Sequence, residues 1–135
     1  MVQSLTEAKN HALVLRDAPI RAAAQRIINS AFGCAGERCM ALPAIVVEEE
    51  IADELVATIK ELAQERRVGP AWEPETEMGP LVTRAHYEKV RGYVELGLEE
   101  GAKLVADGRG LVVDGHEDGF FLGPCLFDHV SADMR

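Results

Sequence analysis

Membrane and nucleic-acid partners are excluded by what the sequence lacks. It has no apolar run near the roughly 18 residues that a membrane-spanning helix needs, and no charged leader followed by an apolar segment. Its 14 Lys and Arg stand against 23 Asp and Glu, a formal net charge of −9, and no basic cluster occurs. We therefore expect no membrane, no nucleic acid and a cytoplasmic location.

Cysteine is scarce as well, and the spacing of the cysteines fits no metal-binding motif. The three cysteines are an odd number and do not indicate a disulfide framework. Cys34 and Cys39 are too far apart for a C-x-x-C motif, and no histidine lies close enough in sequence to complete a metal site. We expect no metal, and a reducing compartment in which thiols serve packing or chemistry.

The order of apolar segments predicts an α/β fold with a parallel-sheet, three-layer core in a single domain, residues 1–135. Residues 12–15 and 42–47 are strand candidates. Between them, an apolar helical face favours a helix that Asp17 caps and that runs to Phe32. Strands joined through a helix run parallel with a right-handed crossover, so these two strands should be parallel.

The second half of the chain predicts further helices and strands. A helix is expected over residues 51–64, then an irregular connection over 68–80, then a helix capped by Thr83 with an apolar stripe of Tyr87, Val90, Val94 and Leu98. Strands are expected at 103–106, 111–113 and 120–127.

The segment around Cys39 is where chemistry is most plausible. Gly33 and Gly36 should end the first long helix and leave Cys39 on the following connection, next to Arg38. A cation beside a thiol favours the thiolate, the form that acts as nucleophile. The alternative is a buried thiol that serves only packing, as we expect for Cys34 and Cys125.

Several motifs resemble the aldehyde dehydrogenase superfamily over essentially the whole chain. The segment Gly36-Glu37-Arg38-Cys39-Met40-Ala41, after an Ala-rich helix, resembles that family's active-site cysteine motif. Flanking matches are Ala8-Lys9-Asn10-His11, Gly79-Pro80-Leu81-Val82, Glu100-Gly101-Ala102-Lys103-Leu104 and Phe121-Leu122-Gly123-Pro124. The resemblance implies a fragment of the cysteine-bearing catalytic domain, without the NAD-binding domain.

Within the superfamily, Lys9-Asn10-His11 and residues 36–42 most resemble the CoA-acylating branch of methylmalonate-semialdehyde dehydrogenases. Leu5 stands where hydrolytic members carry a general-base glutamate, so the resemblance implies CoA rather than water as acyl acceptor. Glu7 stands at a position that is usually glycine. If its carboxylate replaced the missing general base, water would be the alternative acyl acceptor.

The family mechanism implies roles for particular residues. Cys39 would attack the aldehyde to give a thiohemiacetal, stabilised by the Cys39 backbone N–H and an amide from outside this chain. Hydride transfer to NAD would leave a thioester, which CoA would accept. Arg38 would bind the carboxylate of malonate or methylmalonate semialdehyde; a surface charge is the alternative.

Cofactor contacts, assembly and activity follow from the same resemblance. Thr6, His86 and Lys89 would lie near NAD, although a solvated helix face also accounts for His86 and Lys89. The parent enzyme would be a homo-oligomer, a tetramer by resemblance, and the isolated chain would be inactive. Two other hypotheses stay open: a non-catalytic α/β module acting through association, and a thiol redox protein that uses Cys34 and Cys39.

Overall fold

A computed structural model describes residues 8–135, in which strands and helices alternate along the first half of the chain. The elements are β1 (His11–Val14), α1 (Ile20–Phe32), a short 3-10 segment (Gly33–Gly36), β2 (Ala44–Val47), α2 (Glu49–Gln64), α3 (Arg84–Glu99), β3 (Lys103–Ala106) and β4 (Leu126–Asp128). This order confirms the α/β prediction. In the described part of the chain, no helix is long and apolar enough to cross a membrane.

The first two strands form a parallel pair, as the sequence predicts. Leu13 lies beside Val46 and Val14 beside Val47. One residue further, the backbone N–H of Glu48 donates to the carbonyl oxygen of Val14 at 3.1 Å. Helix α1 makes the crossover between the strands.

The two faces of this strand pair differ sharply in exposure. Val14 is 6% exposed and belongs to the core. Leu13 and Val46, neighbours on the opposite face, are 68% and 53% exposed. An apolar outer face therefore lies uncovered in residues 8–135.

Helices α1 and α2 supply most of the core that covers the inner face. Both predicted helices are confirmed, and their buried residues are Ala24, Ile27, Ile28, Leu55, Ile59, Leu62 and Ala63. Helix α2 begins at Glu49, two residues before the predicted start, so Glu49 and Glu50 lie in its first turn, where negative charge suits the helix dipole.

The predicted Asp17 cap of α1 is wrong. The N-cap position is Pro19, and no side chain caps the helix. Because proline disfavours helical backbone at the residue before it, a helix cannot begin at Asp17. Residues 15–18 form a turn instead, in which the N–H of Ala18 donates to the carbonyl of Leu15 at 2.9 Å.

The second half of the chain is built around α3 and an antiparallel pair, β3 with β4. The predicted Thr83 cap is confirmed, since its Oγ1 accepts from the N–H of His86 at 3.1 Å. Of the predicted apolar stripe only Val94 is buried, and Leu98 is 42% exposed.

Two predicted strands of this half differ from the structure. Residues 111–113 form no strand, and of 120–127 only the end, within Leu126–Asp128, is one. The backbone there forms hydrogen bonds with other loops instead. The N–H of Gly123 donates to the carbonyl oxygen of Gly108 at 3.0 Å, and the carbonyl oxygen of Phe120 accepts from the N–H of Leu81 at 2.9 Å. Residues 68–80 are irregular, as predicted, apart from a single bridge between Val68 and Met78.

Candidate active site

Helix α1 ends in a run of left-handed backbone that turns the chain toward Cys39. Cys34, Ala35 and Gly36 have φ of 51°, 53° and 77°. The N–H of Glu37 closes this turn on the carbonyl of Cys34 at 2.9 Å. Left-handed backbone costs a non-glycine residue roughly 1–2 kcal/mol, so other contacts must hold this conformation.

The side chain of Asn10 provides two of those contacts. Its Nδ2 donates to the carbonyl oxygen of Cys39 at 2.9 Å and to that of Ala41 at 2.8 Å. Because Asn10 directly precedes β1, the amide joins the Cys39 segment to the strand pair. Both N–H groups of a primary amide can be used in this way.

A third contact comes from α1. The hydroxyl of Ser30 lies 3.3 Å from the carbonyl oxygen of Met40, to which it donates. The chain also turns on itself here, since the N–H of Ala41 donates to the carbonyl of Arg38 at 3.1 Å. Ala41 is buried, whereas Cys39 is exposed. The backbone is thus fixed while the thiol stays accessible.

The fourth contact joins the segment to α3. Oε1 of Glu37 lies 3.2 Å from Nε2 of His86. One of the two α3 residues predicted near NAD is therefore brought to the Cys39 segment. Lys89, one turn further, is exposed and forms no ion pair within residues 8–135. Thr6, Leu5 and Glu7 lie outside the described residues.

The guanidinium of Arg38 lies against Gly33 at the end of α1. A Cβ added to Gly33 would stand 1.5 Å from Nη2 of Arg38, so a side chain at this position would displace the guanidinium. Arg66 is close by: burial lowers the pKa of its guanidinium, and the positive charge of Arg38 lowers it further. The negative charge of Glu77 opposes this lowering, so Arg66 is partly compensated. No carboxylate of the described residues forms an ion pair with Arg38 itself.

The other two thiols have different surroundings. Cys34 is exposed on the left-handed turn. Cys125 is half-buried, and its Sγ accepts from the N–H of Gly108 at 3.3 Å. Burial raises the pKa of Cys125, which disfavours its thiolate. Cys125 therefore has the surroundings of a packing residue.

Cys39 does not line either of two cavities formed by the described residues. One, of about 400 Å³, is lined by Trp72, His116, Phe121 and neighbouring loop residues. The other, of about 220 Å³, lies between Arg66, Gly108 and Pro124. Both cavities therefore lie apart from the thiol. Residues 8–135 also hold no group of His, Cys, Asp and Glu that could bind a metal ion.

Comparison with known proteins identifies the family of this chain. The profile of the aldehyde dehydrogenase family matches residues 1–135. The chain belongs to the aldehyde dehydrogenase family. It is similar to malonate-semialdehyde dehydrogenase 1 of Geobacillus thermodenitrificans, with 47% identity over 98% of this chain and 27% of that protein.

Solved structures of two family members resemble this aldehyde dehydrogenase chain. One is a putative methylmalonate-semialdehyde dehydrogenase from Sinorhizobium meliloti complexed with NAD: TM-score 0.92, 41% identity, covering 94% of this chain and 26% of that one. The other is a methylmalonate-semialdehyde dehydrogenase from Oceanimonas doudoroffii: TM-score 0.90, 44% identity, 94% and 26% covered. The chain thus spans about a quarter of the length of these relatives.

Sequence reasoning placed Cys39 and Arg38 on the connection after α1 but missed the residues that hold that connection. Asn10 entered only as part of a motif, and Ser30 and Glu37 had no assigned role. Asn10 is 29 residues from Cys39 and Glu37 is far from His86 in sequence, so no local pattern indicates either contact.

Proposed function

We propose that this chain is the cysteine-bearing part of the catalytic domain of a longer, NAD-dependent and CoA-acylating semialdehyde dehydrogenase. Its substrate would be malonate or methylmalonate semialdehyde. The observation that carries the proposal is the Cys39 segment, in which an exposed thiol sits on backbone held from β1, α1 and α3. Identity to a malonate-semialdehyde dehydrogenase supports the substrate class.

The chemistry assigned to this chain begins with Cys39. Its thiolate attacks the aldehyde carbon, a C–S bond forms, and the carbonyl oxygen becomes an oxyanion. The backbone N–H of Cys39, held in place through the Asn10 contacts, donates to that oxyanion, with an amide from outside the chain as second donor. The thioester that follows oxidation is broken when the CoA thiol displaces the Cys39 thiolate.

NAD would accept the hydride from the thiohemiacetal carbon when bound. Residues of α3 fit one side of such a cofactor: an imidazole at His86, next to a carboxylate at Glu37, and an ammonium at Lys89 suit ribose hydroxyls. Residues 8–135 contain no glycine-rich phosphate loop, so phosphate binding is assigned to the rest of the enzyme. Thr6 keeps its proposed place near the cofactor.

Arg38 is assigned to the carboxylate of the substrate. Its guanidinium has no carboxylate partner among the described residues, and Arg66 adds positive charge nearby. Guanidinium groups bind carboxylates through paired, charge-assisted hydrogen bonds. A malonate-type substrate carries its carboxylate one carbon from the aldehyde, close enough to reach a residue beside Cys39.

The exposed apolar face of the β1–β2 pair supports the assignment to a longer protein. Leu13 and Val46 would be buried if further strands or helices covered this face. By resemblance the parent would be a cytoplasmic homotetramer. The second candidate function, a non-catalytic module acting through association, is favoured by the same uncovered face.

The deciding experiment uses the longer enzyme and the 135-residue chain side by side. With malonate semialdehyde, NAD and CoA, we expect the enzyme to form NADH and acyl-CoA in equal amounts, and Cys39→Ser to abolish both products and the covalent acyl-enzyme seen by mass spectrometry. Cys34→Ser is the matched control and should retain activity. Turnover by the Cys39→Ser enzyme would refute the role of Cys39, and turnover by the short chain alone would refute its assignment as a fragment.

A further inference from the structure

We propose that Glu37 and His86 are positioning residues that hold the Cys39 segment against the first turn of α3. The inference rests on the proposed role of Cys39 as nucleophile and adds two residues to the set that presents its thiol. Neither residue is assigned a part in bond making or breaking.

Geometry supports the contact from both ends. Glu37 lies two residues before Cys39, and its Oε1 is 3.2 Å from Nε2 of His86. The side chains of Glu37 and His86 are 22% and 41% exposed, so the Glu37 side chain is the more shielded of the two, although residue Glu37 as a whole is exposed. The backbone N–H of His86 is itself fixed by Oγ1 of Thr83 at 3.1 Å. The imidazole therefore projects from a well-defined position.

Charge supplies a second reason for a carboxylate at this place. The first turn of α3 contains no acidic residue, although a helix N-terminus carries a partial positive charge and favours an anion. Glu37 brings that negative charge from a different part of the chain.

The position of Cys39 between its contacts explains what the pair would do. Glu37 and His86 hold the chain two residues before Cys39, and Asn10 holds it at Cys39 and Ala41. The left-handed turn at Cys34, Ala35 and Gly36 is costly and would relax if one side were released. The direction of the Cys39 N–H and thiol is consequently fixed from two sides.

The test measures thiol reactivity in the 135-residue chain. Iodoacetamide labelling, read by mass spectrometry, gives the rate at Cys39 relative to Cys34, which lies on the far side of the turn. We expect Cys39 to react faster in the natural chain. His86→Ala and Glu37→Ala should each lower the ratio of the Cys39 rate to the Cys34 rate by about two- to fivefold, the range expected of a partly exposed ion pair. The double variant should lower this ratio no more than either single variant, because both substitutions remove the same contact.

Two variants separate positioning from general loss of structure. His86→Gln keeps a side-chain donor for Glu37 and should restore most of the ratio. Arg91→Ala removes an exposed α3 residue that pairs with Glu95 and should leave the ratio unchanged. An unchanged ratio in His86→Ala, with Cys39 still faster than Cys34, would overturn the positioning role and leave the proposed function intact.

A different outcome would count against the nucleophile assignment instead. If Cys39 reacts no faster than Cys34 in the natural chain, the assignment of Cys39 as the nucleophile fails. Hydrogen exchange then tests the contact between Glu37 and His86 directly. His86→Ala should speed exchange of the amides at residues 37–41 and leave α2 unchanged. Equal exchange in both proteins would refute the contact.

Discussion

The side-chain amide of Asn10 donates to the carbonyl oxygen of Cys39 at 2.9 Å, across 29 residues of sequence. The same nitrogen donates to the carbonyl of Ala41 at 2.8 Å. Main-chain carbonyls that have left a helix and not yet entered a strand need partners, and one amide satisfies two of them. Asn10 thereby couples the strand pair to the segment that carries the thiol.

Replacing Asn10 should destabilise the chain, and a charged replacement should destabilise it more than an uncharged one. Asn10→Ala removes two hydrogen bonds and should lower the free energy of unfolding by about 1–3 kcal/mol. Asn10→Asp should be worse, because a carboxylate would face two carbonyl oxygens with no donor between them. Urea unfolding measures both. His11→Ala, an exposed neighbour, is the control; an Asn10→Asp chain as stable as the natural one would contradict the argument.

Helical periodicity was the most reliable guide to this fold. Both α1 and α2 are predicted from this repeat, and their buried residues follow it. The stripe of α3 was predicted less well, because Gly97 on that helix instead receives the ring of Phe127 from β4. That packing depends on a strand 30 residues away, which no local pattern reveals.

The two interior glycines of α3 make a matched pair for testing that packing. A Cβ at Gly97 would lie 2.8 Å from the ring of Phe127, whereas one at Gly92 would meet nothing within 4 Å. Gly92→Ala should therefore raise the free energy of unfolding by about 0.5–1 kcal/mol, the helix-propensity gain. Gly97→Ala should lose that gain and cost about 1–3 kcal/mol through overpacking. Equal stabilisation by both substitutions, in urea unfolding, would show that Phe127 does not pack on α3.

Glu48 should account for part of the loss of folding stability at acidic pH. Hydrogen bonds from the side chain and backbone of Arg16 hold the pKa of Glu48 below its usual range. Because the folded-state pKa is the lower one, the stabilisation is complete above the unfolded value of about 4.3 and is lost as pH falls through the folded value. Glu48→Gln should flatten the fall of melting temperature with decreasing pH below that point. Glu54→Gln, on the exposed side of α2, should not; identical profiles for both would remove Glu48 from the account.

For the site, the residues proposed for the chemistry are visible in the sequence, and the residues that hold them in place are not. Cys39 and Arg38 stand out in sequence because small residues and a cation accompany a thiol. The residues that fix them, Asn10, Ser30 and Glu37, are ordinary polar residues whose role depends on tertiary contacts.

Arg38 and Gly33 together allow a test of substrate selection in the longer enzyme. Arg38→Ala should lower kcat/KM for malonate semialdehyde by about 1.5–3 kcal/mol, or roughly 10- to 150-fold, because a charge-assisted pair with the carboxylate is lost. Propanal, which is of similar size and lacks the carboxylate, should be affected far less.

Gly33→Ala should act on the same guanidinium without removing it. Its Cβ would overlap Nη2 of Arg38, so the guanidinium must move, while Gly33 itself has an ordinary φ of −58° that alanine tolerates. We expect a smaller loss than for Arg38→Ala, again selective for the carboxylate-bearing substrate, with little change in melting temperature. Steady-state kinetics on both aldehydes measure the selectivity. Equal losses for the two aldehydes in Arg38→Ala would remove Arg38 from the substrate site, because a residue that only supports the Cys39 segment would slow every aldehyde alike.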